Sequence, residues 1–325
     1  MSTLVTGGTG FVGSNIVKVL AESGHQVISI DVAPPDELVL RYTSNVSNSI
    51  NWVEGDILNR QTLSDAVEGR EIDKIIHAAV YTGTRLDVEK ADSHRIVDIN
   101  IRGTLNLLDL ARQLAVKRFV YVSSGGVYAG KRLADEPLHE DMALFPINLY
   151  DITKYACEML SQRYGDLHGF ETVSVRLSAP YGPMERVTGH RAVMSQVYEW
   201  TGKAIRGEAI DFSRVTPDRD FTYVLDTASA IAAVLNAPSL KHQVYNIGRG
   251  RKVTIGEMIE AMERVWPSVT FTGSRAEVEQ APSPKYGRGP MDVSQLRDLG
   301  FVANHDIEMG LRKYMAWREE FGFND

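Results

Sequence analysis

The chain has 325 residues, 43% of them hydrophobic, with 42 acidic against 35 basic side chains, a formal net charge of −7 and one cysteine, Cys157. That length supports one large core and a smaller companion. There is no basic block and no apolar run of spanning length, so neither nucleic acid nor membrane is an expected partner, and a single cysteine excludes an internal disulfide framework. A small-molecule substrate is the expected partner. The first motif begins six residues from Met1, which leaves no room for a signal peptide, so a cytoplasmic location is expected.

Taken in chain order, short β-rich runs alternate with amphipathic stretches. Residues 4–6 read as a strand and 14–23 as a helix; 26–30 as a strand; 51–54 and 60–67 as strand and helix; 74–77 as a strand; 93–114 as one long helix; 118–123 as a strand; 150–167 as a helix; and 171–177 as a strand. This alternation predicts an α/β fold with a doubly wound parallel sheet. Beyond residue 178, Pro180, Gly182, Pro183 and Gly189 mark irregular chain before a helical stretch at 193–205. The predicted domains are therefore 1–177, a dinucleotide-binding Rossmann unit that 220–247 rejoins, and a smaller α/β substrate unit from 178–219 and 248–325. Late helices are expected at 254–266 and 307–318, and a loop at 280–290.

Gly7, Gly10 and Gly13 stand at GxxGxxG spacing between the first strand and helix. There a Cβ would obstruct, in turn, the tight turn, the approach of a pyrophosphate and the packing of helix on strand. The helix N-terminus at Phe11 and Val12 offers free N–H groups to phosphates. Asp31 ends the second strand, 18 residues after Gly13, where its carboxylate can accept both adenosine ribose hydroxyls and repel a 2′-phosphate; NAD is thus the expected cofactor. Asp56, with Ile57 after it, ends another strand and is expected near the adenine.

Tyr150 and Lys154 lie four apart on one helix face, within reach of one bound ring. A tyrosine needs its pKa lowered from about 10 to act as a base near neutrality, and a neighbouring ammonium has the right sign for that. Ser124 closes Tyr121-Val122-Ser123-Ser124 at a strand end, where its hydroxyl can hold the oxygen that Tyr150 deprotonates, with Gly125 beside it. No His, Cys, Asp or Glu cluster has metal-ligand spacing, so no metal is expected. Cys157 and His77 read as packing residues.

With these segments in view the chain resembles the NAD-dependent epimerase/dehydratase family, the extended short-chain dehydrogenase/reductases. The marks run over nearly the whole length: Thr6-Gly7-Gly8-Thr9-Gly10-Phe11-Val12-Gly13, His77-Ala78-Ala79, Asn100-Ile101-Arg102-Gly103-Thr104, Ser123-Ser124-Gly125-Gly126-Val127-Tyr128, Tyr150 with Lys154, Tyr181-Gly182-Pro183, Arg219-Asp220-Phe221 and Asn246-Ile247-Gly248. The resemblance implies that Tyr150 is the acid/base, that Lys154 holds the nicotinamide ribose and tunes Tyr150, and that Ser124 positions the reacting hydroxyl. It also implies that Ala78, Ala79 and Asn100 lie in the cofactor pocket, that Arg219 faces nucleotide-sugar phosphates, and that the helices at 93–114 and 150–167 pair in a homodimer.

Members of the family that dehydrate or decarboxylate carry carboxylates directly after the Ser124 position. Here stand Gly125 and Gly126, neither of which can transfer a proton. The remaining chemistry is oxidation of a secondary alcohol to a ketone and return of the hydride. The expected activity is a nucleotide-sugar 4-epimerase acting on UDP-hexose or UDP-uronate. The alternatives are an NAD-dependent dehydrogenase of a sugar acid or other hydroxy compound and, more distantly, a non-catalytic NAD sensor. Ala179 stands where the family usually has a substrate-binding Asn, and 212–219 lacks the glycine-rich turn often found before the Arg-Asp pair, so the sequence leaves room for a head group other than uridine diphosphate. Arg85, Arg186 and Arg191 are placed by sequence in loops that approach the substrate cleft.

Overall fold

The structure is a computed structural model and describes residues 2–129, 136–191, 193–211, 219–273 and 288–323. The segment 212–218 and most of the expected loop at 280–290 lie outside the described residues. The chain runs β1 (Ser2–Thr6), α1 (Phe11–Glu22), β2 (Gln26–Asp31), α2 (Glu37–Tyr42), β3 (Ile50–Glu54), α3 (Arg60–Val67), β4 (Ile72–His77), α4 (Leu86–Ala91), α5 (Ser93–Val97), α6 (Gly103–Gln113), β5 (Arg118–Ser124), α7 (Leu149–His168), β6 (Glu171–Leu177) and β7 (Ala179–Tyr181). It continues with α8 (Gln196–Ile205), β8 (Ile210–Asp211), β9 (Phe221–Tyr223), α9 (Val224–Asn236), β10 (Val244–Ile247), α10 (Ile255–Val265), β11 (Phe271–Thr272) and the C-terminal helices Ser294–Asp298 and Ile307–Phe321. Among the described residues no helix is long and apolar enough to cross a membrane.

Seven strands form one sheet in the order β10-β6-β5-β4-β1-β2-β3, all pairs parallel. The winding reverses between β1 and β4, and the crevice beyond the strand ends at such a reversal is where ligands bind in open α/β sheets. Each inner strand carries apolar residues on both faces, as a sheet covered on both sides requires. Val5, Val27, Ile76 and Val120 pack against Ile16 and Leu20 of α1 and Ile231 and Leu235 of α9. Their neighbours Leu4, Ile28, Ile75 and Phe119 pack against Leu63 of α3 and Leu107 and Leu108 of α6. A third core gathers Tyr181, Trp200, Met258, Leu311, Tyr314 and Trp317 from the later elements.

The expected strands appear with edges shifted by one or two residues. The short helices α2 and α4, six residues each, carry too little period to be read from sequence. The helix expected at 93–114 is interrupted by a π turn at Asp98–Arg102. There the Asn100 carbonyl accepts the Thr104 hydroxyl at 2.5 Å and the Cys157 thiol at 3.2 Å. Cys157 is fully buried, as its packing role requires.

Candidate active site

A cavity of about 1010 Å³ opens at the carboxyl ends of β1, β2, β4 and β5. Its floor is the glycine turn. Gly7 adopts φ +74°, and a Cβ there would meet the Ala79 backbone at 2.7 Å; a Cβ on Gly13 would fall on the Gly7 carbonyl. Helix α1 therefore sits directly on the turn, and no side chain caps its N-terminus, so the first N–H groups face the cavity bordered by Gly10, Phe11 and Val12. The cradle lacks Cβ atoms where a dinucleotide pyrophosphate would lie, and the residues present fit that group.

Asp31 lines the cavity at the end of β2, its Oδ2 accepting the Thr9 amide at 3.0 Å and the Thr9 hydroxyl at 2.7 Å. Asp56 and Ile57 line the same side, with Asp56 accepting the Leu58 amide at 2.8 Å. Ala78 and Ala79 form the wall after β4. Beneath them His77 is 1% exposed and lies between Thr6 (2.8 Å) and Thr104 (3.0 Å). Burial, with the Lys154 charge adding to it, holds the His77 imidazole down at about 3, so it is neutral and structural.

Ser124, Tyr150 and Lys154 converge on the opposite wall. Asn148 caps α7 by accepting the Asp151 amide at 2.8 Å, which fixes the first turn and with it Tyr150. The Ser124 Oγ accepts the Gly126 amide at 3.0 Å, and its hydroxyl lies near enough to Tyr150 to favour the phenolate. Lys154 is buried at 2% exposure; its Nζ donates to the Val122 carbonyl at 2.7 Å and stands 5.8 Å from the Tyr150 ring centroid. Burial pulls Lys154 down to about 8, and it pushes Tyr150 up to about 12 with help from the Asp151 charge. Ser124, Arg191 and Arg288 act on Tyr150 in the opposite direction. The ammonium expected to tune Tyr150 is thus turned towards Val122, and two guanidiniums supply the nearby positive charge. Behind this wall Ser123 donates to Glu158 at 2.5 Å and Glu158 pairs with Arg176 at 2.7 Å, a buried network that fixes the end of β5 on α7.

Other expected residues lie elsewhere. Asn100 does not line the cavity: it is 1% exposed, accepts the Tyr81 amide at 2.9 Å and donates to Thr153 at 2.9 Å, so it braces α7 from behind. Ala179 pairs with Phe221 between the lining residues Ser178 and Pro180 and is not itself in the wall. Gly125 is buried behind Ser124, under Met291 and Arg288. Arg219 is also outside the wall; burial, reinforced by Arg288, pushes its guanidinium down to about 10. Arg85 pairs with Asp87 on the surface. Arg191 and Arg186 do line the cavity, on its cofactor side: Arg191 stacks over Phe11 at 4.9 Å and pairs with the buried Glu185 at 2.6 Å, while Arg186 pairs with Asp36 at 2.6 Å. Sequence reasoning missed Asp151 and Arg288. Asp151 was visible inside the Tyr150–Lys154 motif, whereas Arg288, at the end of a proline-rich stretch, gave no signal.

A dinucleotide cradle and a Ser-Tyr-Lys set meeting at the reversal point of a parallel sheet define an NAD-dependent enzyme of the short-chain dehydrogenase/reductase type. The profile of the NAD dependent epimerase/dehydratase family matches residues 3–248, and the chain belongs to that family. It is similar to a UDP-glucuronate 4-epimerase of Thermodesulfobacterium geofontis, 31% identical over 98% of this chain and 96% of that protein. It is also similar to a putative UDP-glucose 4-epimerase of Methanocaldococcus jannaschii, 28% identical over 97% of each. Among solved structures, the UDP-glucose 4-epimerase of Thermus thermophilus in complex with NAD superposes with a TM-score of 0.80 at 25% identity, covering 100% of both chains.

Proposed function

We propose that this protein is an NAD-dependent 4-epimerase of nucleotide sugars, UDP-hexose or UDP-uronate, working through a transient ketone. The observation that carries the reading is the Ser124–Tyr150–Lys154 set beside a dinucleotide cradle, with no second acid or base in the cavity wall behind Ser124 among the described residues. Gly125 and Gly126 leave no carboxylate there, and Asp151, though close, is buried at 5% exposure and accepts the Asn148 amide, so dehydration lacks its proton carrier. Bound NAD supplies the hydride acceptor and donor. Ser124 holds the reacting oxygen, Tyr150 takes its proton and returns it, and Lys154 holds the nicotinamide ribose. Bringing Tyr150 from about 12 to neutrality takes roughly 7 kcal/mol of phenolate stabilisation, which is the task of the surrounding cations and the positive nicotinamide. A volume near 1010 Å³ lies at the upper end for single-ligand pockets and leaves room for cofactor and sugar together.

In this reading Asp31 receives the adenosine ribose, Asp56 and Ile57 flank the adenine, and Arg219 serves the substrate phosphates. The units 1–177 with 220–247, and 178–219 with 248–325, act as cofactor and substrate halves. A cytoplasmic location and a homodimer belong to the same proposal. The dimer would cover Val97, Ile152 and Met159, which are 38%, 44% and 57% exposed on α5 and α7; a monomeric mass at micromolar concentration excludes it. The activity is tested by incubating the NAD-loaded protein with UDP-glucose, UDP-galactose and their uronic acids. Interconversion of a 4-epimeric pair without net NADH is expected. Net NADH formation from a free sugar acid would replace the epimerase with a dehydrogenase.

A further inference from the structure

The end of the cavity beside Asp31 carries charges of both signs. The loop that follows β2 lines it through Val32, Ala33, Pro34 and Asp36, and the stretch after β7 reaches it with Arg186. The Arg186 side chain is 17% exposed and is held on two sides: Nη1 donates to Asp36 Oδ2 at 2.6 Å, and Nη2 donates to the Thr9 carbonyl at 3.4 Å. The amide and hydroxyl of the same Thr9 donate to Asp31 Oδ2 at 3.0 and 2.7 Å. One residue of the glycine turn thus stands between the Asp31 carboxylate and the Arg186 guanidinium. A carboxylate at the end of the second strand suits a ribose with a free 2′-hydroxyl, whereas a guanidinium beside it suits a 2′-phosphate, which it meets with paired, charge-assisted hydrogen bonds. This cavity has both groups, and Asp36 decides between them. One of its oxygens accepts the Val39 amide at 3.0 Å and caps α2, and the other neutralises Arg186.

We propose that Asp36 is a second determinant of dinucleotide choice: by occupying Arg186 it withholds from a 2′-phosphate the guanidinium that could receive it, and it adds its own negative charge to that of Asp31. This rests on the cofactor half of the reading above, with Asp31 at the adenosine ribose. A free 2′-hydroxyl asks for no cation, so with NAD the Arg186–Asp36 pair stays closed and ties the stretch after β7 to the glycine turn. A 2′-phosphate meets two carboxylates against one guanidinium that is already paired. Without the Asp36 carboxylate the balance becomes one against one, and the guanidinium is free to turn.

The test is displacement of NADH fluorescence from the NADH-loaded protein by NAD or NADP, in the wild type, Asp36→Asn, Arg186→Met and the double variant. Asparagine also caps helices, so Asp36→Asn removes the charge and keeps α2. The wild type should prefer NAD. Asp36→Asn should move the ratio of the two affinities about tenfold towards NADP. Arg186→Met alone should bring no such gain, and added to Asp36→Asn it should take the gain back. An unchanged ratio in Asp36→Asn overturns the proposal. So does a gain that survives in the double variant, since loss of one negative charge would then account for it without Arg186. A wild type that fails to hold NADH removes the cofactor reading and this inference with it; a wild type that holds NADH while the ratio ignores Asp36 loses this inference alone.

Discussion

The two walls of the cavity are built on different principles. The cofactor wall is made of backbone: Gly7 against Ala79, Gly13 against the Gly7 carbonyl, and the uncapped start of α1. Its specificity lies in what is missing: without Cβ atoms at Gly7 and Gly13 the turn, the Ala79 backbone and α1 close on one another and bring backbone N–H groups to the cavity. The opposite wall is made of side chains from separate elements, Ser124 at the end of β5 with Tyr150 and Lys154 on α7. Backbone recognition needs fixed spacing within a dozen residues, whereas side-chain recognition needs only that tips meet in space. The first constrains sequence tightly and the second hardly at all.

Three perturbations separate the walls. Tyr150→Phe should lower turnover about 10³-fold while NAD stays bound, because it removes the proton carrier and leaves the cradle intact; rate measurement with cofactor extraction checks both halves, and near-normal turnover would remove Tyr150 from the chemistry. Asp31→Ala is the converse. It should weaken NAD by roughly 10- to 100-fold, NADP by less, and leave the turnover of saturated enzyme close to wild type; equal losses for both dinucleotides in a titration would deny Asp31 its ribose. The smallest effect lies under the floor. His77 is held at about 3 when folded against 6.5 unfolded, so its neutral form favours the fold, fully so above pH 6.5 and progressively less as pH falls towards 3. It should cost about 1 kcal/mol of stability between pH 6.5 and 5.5, read as a steeper loss of melting temperature than in His77→Asn.

What was legible in the sequence follows the same division. Gly7, Gly10, Gly13, Asp31, Ser124, Tyr150 and Lys154 all line the cavity as the motifs predict, because each is fixed by its distance from a strand end. Asn100 was read as a cofactor contact from its motif, yet the π turn that carries it directs its amide to Tyr81 and Thr153; an extra residue in a helical turn leaves no periodic trace in so short a stretch. Arg191 was expected against the substrate and packs over Phe11. No local pattern brings Arg288 to Tyr150, because its nearness depends on how the chain near residue 288 meets α7.

The irregular stretch between β7 and α8 has a bearing on how the molecule is assembled. Its Pro183 carbonyl accepts Asn15, its Arg186 pairs with Asp36, and its His190 carbonyl accepts the Thr82 amide at 2.9 Å. The first two ties span 168 and 150 residues of chain. A nascent polypeptide that has emerged only through β6 already owns the glycine turn and Asp31, but its binding cleft still lacks one side. Full affinity for the dinucleotide therefore requires the chain through this stretch, and the ligand, by binding the closed cleft, draws these long-range closures to completion.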